Sequence, residues 1–142
     1  MSWSDTYRKY VNLPRNQLIS MAINAADGIM CVISAAEGSH RTAKRMLAML
    51  FGGIAVDNGD VAYAEYELYK EVMSTLEDEY VSYDEFYDIC CSSRSMRINE
   101  IKRYYDMDYI RDDVVTLALC IAAIDDRIDR VEQELIEYFD QY

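Results

Sequence analysis

Leu117-Ala-Leu-Cys-Ile-Ala-Ala-Ile-Asp-Asp-Arg-Ile-Asp-Arg-Val-Glu-Gln-Glu-Leu135 runs an apolar helical pattern into an acidic turn and restarts as an amphipathic helix. The same layout stands earlier, at Leu50-Phe-Gly-Gly-Ile-Ala-Val-Asp-Asn-Gly-Asp-Val-Ala-Tyr-Ala-Glu-Tyr-Glu-Leu68. In register, Leu50 meets Leu117, Ile54 meets Ile121, Ala55 meets Ala122, Glu65 meets Glu132, Glu67 meets Glu134 and Leu68 meets Leu135. The chain therefore carries a helix, acidic turn, helix unit twice, over residues 40–80 and 109–142. The expected fold is an all-α bundle of about seven helices, formed by residues 1–142 as one domain.

Composition points the same way. The 142 residues include only 5 glycines and 1 proline, and 51% are apolar, which disfavours long linkers and turn-rich β folds. A formal charge of −12 repels phosphate backbones, so no nucleic-acid partner is expected, and cations or basic protein surfaces are the natural ones. The basic residues fall in short runs, Arg41, Lys44 and Arg45 and then Arg94, Arg97, Lys102 and Arg103, which read as solvated helix faces or as faces for something acidic. Met1-Ser-Trp-Ser-Asp-Thr-Tyr7 is too polar for a signal peptide, and the scattered Cys31, Cys90, Cys91 and Cys120 read as small buried apolar residues. A cytoplasmic location is expected.

Helix boundaries follow from caps and period. A short helix is expected around Trp3 to Tyr10. Pro14 suits the start of a long helix over 15–36, where its missing N–H costs nothing. The apolar residues of that helix nearly encircle it, so it is expected to be the central, most buried one, and a core helix rather than a transmembrane segment despite its hydropathy. Gly38 ends it and Ser39 caps the next helix, 40–56, in which Gly52 and Gly53 permit close approach. Helices over 62–79, 83–91, 94–105, 109–124 and 130–142 complete the set, the one over 83–91 being opened by the Ser82-Tyr-Asp-Glu85 capping box.

The repeated turns hold the candidate metal ligands. One offers Asp57, Asn58, Asp60 and Glu65, the other Asp125, Asp126, Asp129 and Glu132. Hard cations take several carboxylate, amide and carbonyl oxygens, so Ca, Mg, Mn or Zn is the possible cofactor; neither turn spells an EF-hand. Helix capping competes with that reading. Asp129-Arg-Val-Glu132 is a capping box in its own right, although Ala62 stands at the matching position of the first copy while Glu65 remains.

At Ala55-Val-Asp-Asn-Gly59-Asp-Val61 with Glu65, and at Ala122-Ala-Ile-Asp125-Asp-Arg-Ile128 with Glu132, the chain resembles the TerB-like family of tellurite-resistance-type helical domains. Asn58 stands where that motif has aspartate, and Asp126 where it has glycine. The resemblance implies a compact helical fold of two pseudo-symmetric halves, an acidic surface for a divalent metal, and a role in stress response or in membrane-associated assemblies. It implies no reaction. Asn24-Ala-Ala-Asp27-Gly28-Ile29 echoes the motif a third time, but the apolar pattern continues through it, so Gly28 reads as a helix-packing glycine.

His40, the single histidine, has no visible partner and reads as an exposed side chain, leaving no catalytic constellation. Tyrosine is in excess, at 13 residues, with Tyr63, Tyr66 and Tyr69 three apart and Tyr80, Tyr83 and Tyr87 nearby. Spacing of three drifts slowly around a helix, so these form either packing at the core edge or an interface stripe. The expected function is a non-enzymatic binding or scaffold module, with a protein partner or a second copy of itself, either cation-binding or metal-free and working through its tyrosine-rich and acidic faces.

Overall fold

A computed structural model describes residues 3–55, 63–93 and 111–124, and these form an all-α bundle. Its helices are α1 (Trp3–Val11), α2 (Arg15–Glu37), α3 (His40–Ala55), α4 (Tyr63–Glu77), α5 (Tyr83–Ser93) and α6 (Arg111–Ile124). The expected helices over 94–105 and 130–142 lie outside the described residues.

The local signals act as read. Pro14 precedes α2 and its carbonyl accepts from the Gln17 and Leu18 N–H groups at 3.0 and 3.1 Å. Gly38 closes α2 in the left-handed conformation, φ 68°, and its N–H donates to the Ser34 carbonyl at 2.9 Å. Ser39 and Ser82 each accept a backbone N–H three residues on, from Thr42 and Glu85, both at 3.2 Å. α4 ends at Glu77, two residues earlier than expected for the 62–79 helix, because Asp78 turns left-handed, φ 53°. The Asp78 and Glu79 N–H groups then bond back to Ser74 and Met73, which satisfies carbonyls of the last turn.

The most buried helix is α6, which corrects that part of the expectation for α2; α2 itself packs against α3, α4 and α6. Every residue from Leu117 to Ala123 is buried, and α6 packs against α1, α2, α3 and α4. α2 is long and apolar enough to cross a bilayer by length and composition, yet only 39% of its most apolar window is buried within the bundle. The reason is a stripe of exposed Ser20, Asn24, Asp27 and Cys31, spaced along one face; opposite it, Leu18, Ala22, Ala25, Ala26, Ile29 and Ile33 face the core. Cys31 is thus exposed where a buried cysteine was expected.

Among the described helices, α2 and α6 make the most extensive contact. Gly28 lies against Asp113, whose carboxylate fills the space a Cβ would need, so Gly28 is a helix-packing glycine. Burial there, and then the neighbouring Asp112 charge, raises the Asp113 carboxyl above its ordinary range. Tyr10 of α1 reaches the same helix through a hydrogen bond with Thr116. At the other end of the bundle α3, α4 and α5 meet through rings. Phe51 is fully buried, edge-on to Tyr69 at 5.0 Å and to Phe86 at 6.0 Å.

Candidate functional site

That aromatic cluster continues to the surface. Tyr66 and Tyr69, on the inner face of α4, are buried, whereas Tyr63, one turn earlier, is 61% exposed. Spacing of three explains the difference: each step of three falls about 60° short of a full turn, so a row of three rings begins outside and ends inside. The Tyr66 hydroxyl donates to the Val81 carbonyl at 2.9 Å, which ties α4 to the connection before α5. Burial, and then the nearby Glu79 charge, pushes the Tyr69 phenol well above its usual range, so it stays neutral.

On α5, Tyr83 and Tyr87 are one turn apart, 37% and 39% exposed, with rings 6.4 Å from centre to centre. Tyr63 stacks on Tyr83 at 6.2 Å, and Tyr66 meets Tyr83 edge-on at 5.4 Å from beneath. Tyr63, Tyr83 and Tyr87 therefore form a ridge of successive rings resting on a buried aromatic base. Exposed Asp84 and Asp88 follow Tyr83 and Tyr87 directly in sequence, and half-buried Glu67 shares α4 with Tyr63. Lys70 is held over the buried Tyr66 ring at 5.7 Å. Of the tyrosines, Tyr66 and Tyr69 thus pack the core, and the Tyr63, Tyr83 and Tyr87 rings stay outside.

Of the predicted metal ligands, Asp57, Asn58, Asp60, Asp125, Asp126, Asp129 and Glu132 lie outside the described residues. Glu65 stands in the first turn of α4 and is 4% exposed, the one buried charged side chain among the described residues. A carboxylate in the first turn is favoured by the positive end of the helix dipole. Among the described residues no three His, Cys, Asp or Glu side chains come together as a metal-holding group.

His40 has a partner that sequence reasoning missed. Its Nε2 lies 2.7 Å from Glu77 Oε1, joining the start of α3 to the end of α4. Distance in sequence hid the pair, since nothing local to His40 announces Glu77. The two line a cavity of about 380 Å³ with Asp27 and Cys31. The Cys31 thiol lies toward the Asp27 carboxylate, at 3.9 Å. Buried Cys120 has its thiol pushed up to about 12 by desolvation, which suits packing rather than reactivity.

The described residues thus form a helical bundle that carries an aromatic ridge bordered by carboxylates. Comparison with protein-family models, with curated proteins and with solved structures finds no match to this chain.

Proposed function

We propose that the protein is a non-enzymatic binding module whose Tyr63, Tyr83 and Tyr87 ridge receives an arginine-bearing segment of a partner protein. The observation that carries this reading is that three exposed rings from two helices stand in succession on a buried aromatic base. Such rings are already held in place, so little side-chain freedom is lost on binding. A guanidinium stacked on an exposed phenol ring contributes about 0.5–1 kcal/mol, and the −12 charge of the chain draws basic partners in. Stacking distinguishes arginine from lysine, whereas net charge does not.

The test is a titration with two peptides of equal charge, one arginine-rich and one lysine-rich. The intact chain binds the arginine peptide more tightly, and a Tyr63→Ala, Tyr83→Ala, Tyr87→Ala variant loses that preference while keeping the salt-dependent attraction. Equal affinities for the intact chain would remove the ridge from the function.

A second reading keeps the TerB-like resemblance: a cytoplasmic module of tellurite-type stress response that binds a divalent cation through Asp57, Asn58, Asp60 and Glu65 and through Asp125, Asp126, Asp129 and Glu132. The burial of Glu65 favours it, because a carboxylate turned inward at a helix start, close in sequence to Asp57, Asn58 and Asp60, suits a shared cation as well as a helix cap. Calorimetry and thermal melts with Ca²⁺, Mg²⁺, Mn²⁺ and Zn²⁺ decide it. Neither heat nor a rise in Tm at millimolar ion would end this reading and leave the tyrosine ridge untouched.

A further inference from the structure

Glu85 and Ile89 of α5 face away from the Tyr83 and Tyr87 ridge, since they sit about half a turn from it around the helix. They look instead across a cavity of about 340 Å³ toward α3, whose Arg41, Lys44 and Arg45 form the opposite lip. Between the lips the floor is apolar, with Met73 of α4 and Val81 of the α4–α5 connection beside Ile89. This volume is in the range of small-ligand sites, about 300–1,000 Å³.

The charges in the cavity do not cancel. Lys44 reaches across to Glu79 and the two neutralise each other. Arg41 and Arg45 are exposed and form no ion pair among the described residues, and Glu85 is the remaining carboxylate of the cavity. Two guanidinium groups against one carboxylate leave a single net positive charge, in a chain whose total is −12. A single excess positive charge matches a monoanion and is too little for a phosphate dianion. Arg41 and Arg45 are also one helical turn apart, neighbours on one face, so both forks can converge on one carboxylate.

We propose that this groove binds a small amphipathic monocarboxylic acid, its carboxylate held between Arg41 and Arg45 and its apolar body laid on Met73, Val81 and Ile89. Charge complementarity selects the anionic head, and the floor selects an aliphatic or aromatic body over a polar one. Lys44, paired with Glu79, offers the second carboxylate of a diacid no free cation.

Titration of the full chain with sodium octanoate, followed by calorimetry and by NMR of the Val81 and Ile89 methyl groups, tests the assignment. Saturable binding that shifts those methyls is expected. Arg41→Ala with Arg45→Ala weakens it about tenfold or more, as loss of charge-assisted hydrogen bonds does, and Arg41→Lys with Arg45→Lys retains part of it. Both arginines are exposed, so circular dichroism of the variants should match the parent chain. Octanol and octylamine, which share the chain but lack the carboxylate, should not displace octanoate. No saturable binding at millimolar octanoate, unchanged binding by the alanine variant, or displacement by octanol would each overturn the proposal. Displacement by a capped glutamate-containing peptide at lower concentration than octanoate would also overturn it and assign the groove to a protein segment.

Discussion

The two ends of the core are built on opposite rules. Where α2 meets α6, Gly28 lies directly against Asp113, and the buried residues of the two helices include the small Ala22, Ala25, Ala26, Ala118, Ala122 and Ala123. Where α3, α4 and α5 meet, Phe51, Tyr66, Tyr69 and Phe86 fill the space with rings 5.0–6.0 Å apart. At Gly28 the seam leaves no room for a methyl unless the Asp113 side chain turns aside, whereas the aromatic end is filled by large rings. The aromatic end continues to the surface, because rings as large as Tyr66 and Tyr83 touch across the core edge. That is why the candidate recognition surface lies there.

The sharpest way to break this contrast is to delete a ring. Phe51 is fully buried and touches both Tyr69 and Phe86, so Phe51→Ala is expected to cost about 3–5 kcal/mol in urea unfolding. A cost below about 1 kcal/mol would mean that the aromatic end collapses to refill the cavity and is no better packed than a fluid cluster.

Adding an atom probes the seam. Alanine in place of glycine within a helix gains about 1 kcal/mol, but at position 28 the new methyl collides with the Asp113 carboxylate, and overpacking costs about 1–3 kcal/mol. Gly28→Ala alone should therefore destabilise by about 1 kcal/mol. In an Asp113→Ala background the collision is gone and the same change should stabilise, a reversal of sign that a double-mutant cycle reads directly.

Asp113 also carries a pH signature. Its folded-state carboxyl titrates above the unfolded one, so its contribution to stability is fully present below the ordinary carboxylate pKa and is lost as pH rises through the raised value. Asp113→Asn should accordingly raise Tm at neutral pH and leave it unchanged in strong acid.

How far the sequence foretold all this differs between the two ends. Helix positions, the Ser39 and Ser82 caps and the Gly38 terminus were legible because each depends on residues within one turn. Which helix is the most buried was not, since counting apolar residues around α2 hid the exposed stripe of Ser20, Asn24, Asp27 and Cys31. The tyrosine row was visible, but which rings turn inward depends on the phase of α4 against α3 and α5, a tertiary fact. The His40–Glu77 pair and the groove between α3 and α5 join residues remote in sequence, and no local pattern marks them. Of the eight candidate ligands in the acidic turns, the described residues include Glu65 alone, buried at its helix start.

The smallest expected effect separates the ridge from its base. Tyr66→Phe keeps the ring against Tyr83 and Phe86 and removes only the hydroxyl that donates to the Val81 carbonyl. Val81 is itself buried, so its carbonyl loses a partner that water cannot readily replace, and the cost should be about 1 kcal/mol. Tyr63→Phe, at an exposed ring, should change stability by less than about 0.5 kcal/mol. Binding should follow a different order, because the Tyr63 ring is retained for stacking in that variant, while Tyr66→Phe loosens the connection that fixes α5 and with it Tyr83 and Tyr87. A chain in which Tyr66→Phe lowers stability but leaves arginine-peptide affinity unchanged would have a ridge that holds its shape without the hydrogen bond beneath it, and the base would then be packing alone.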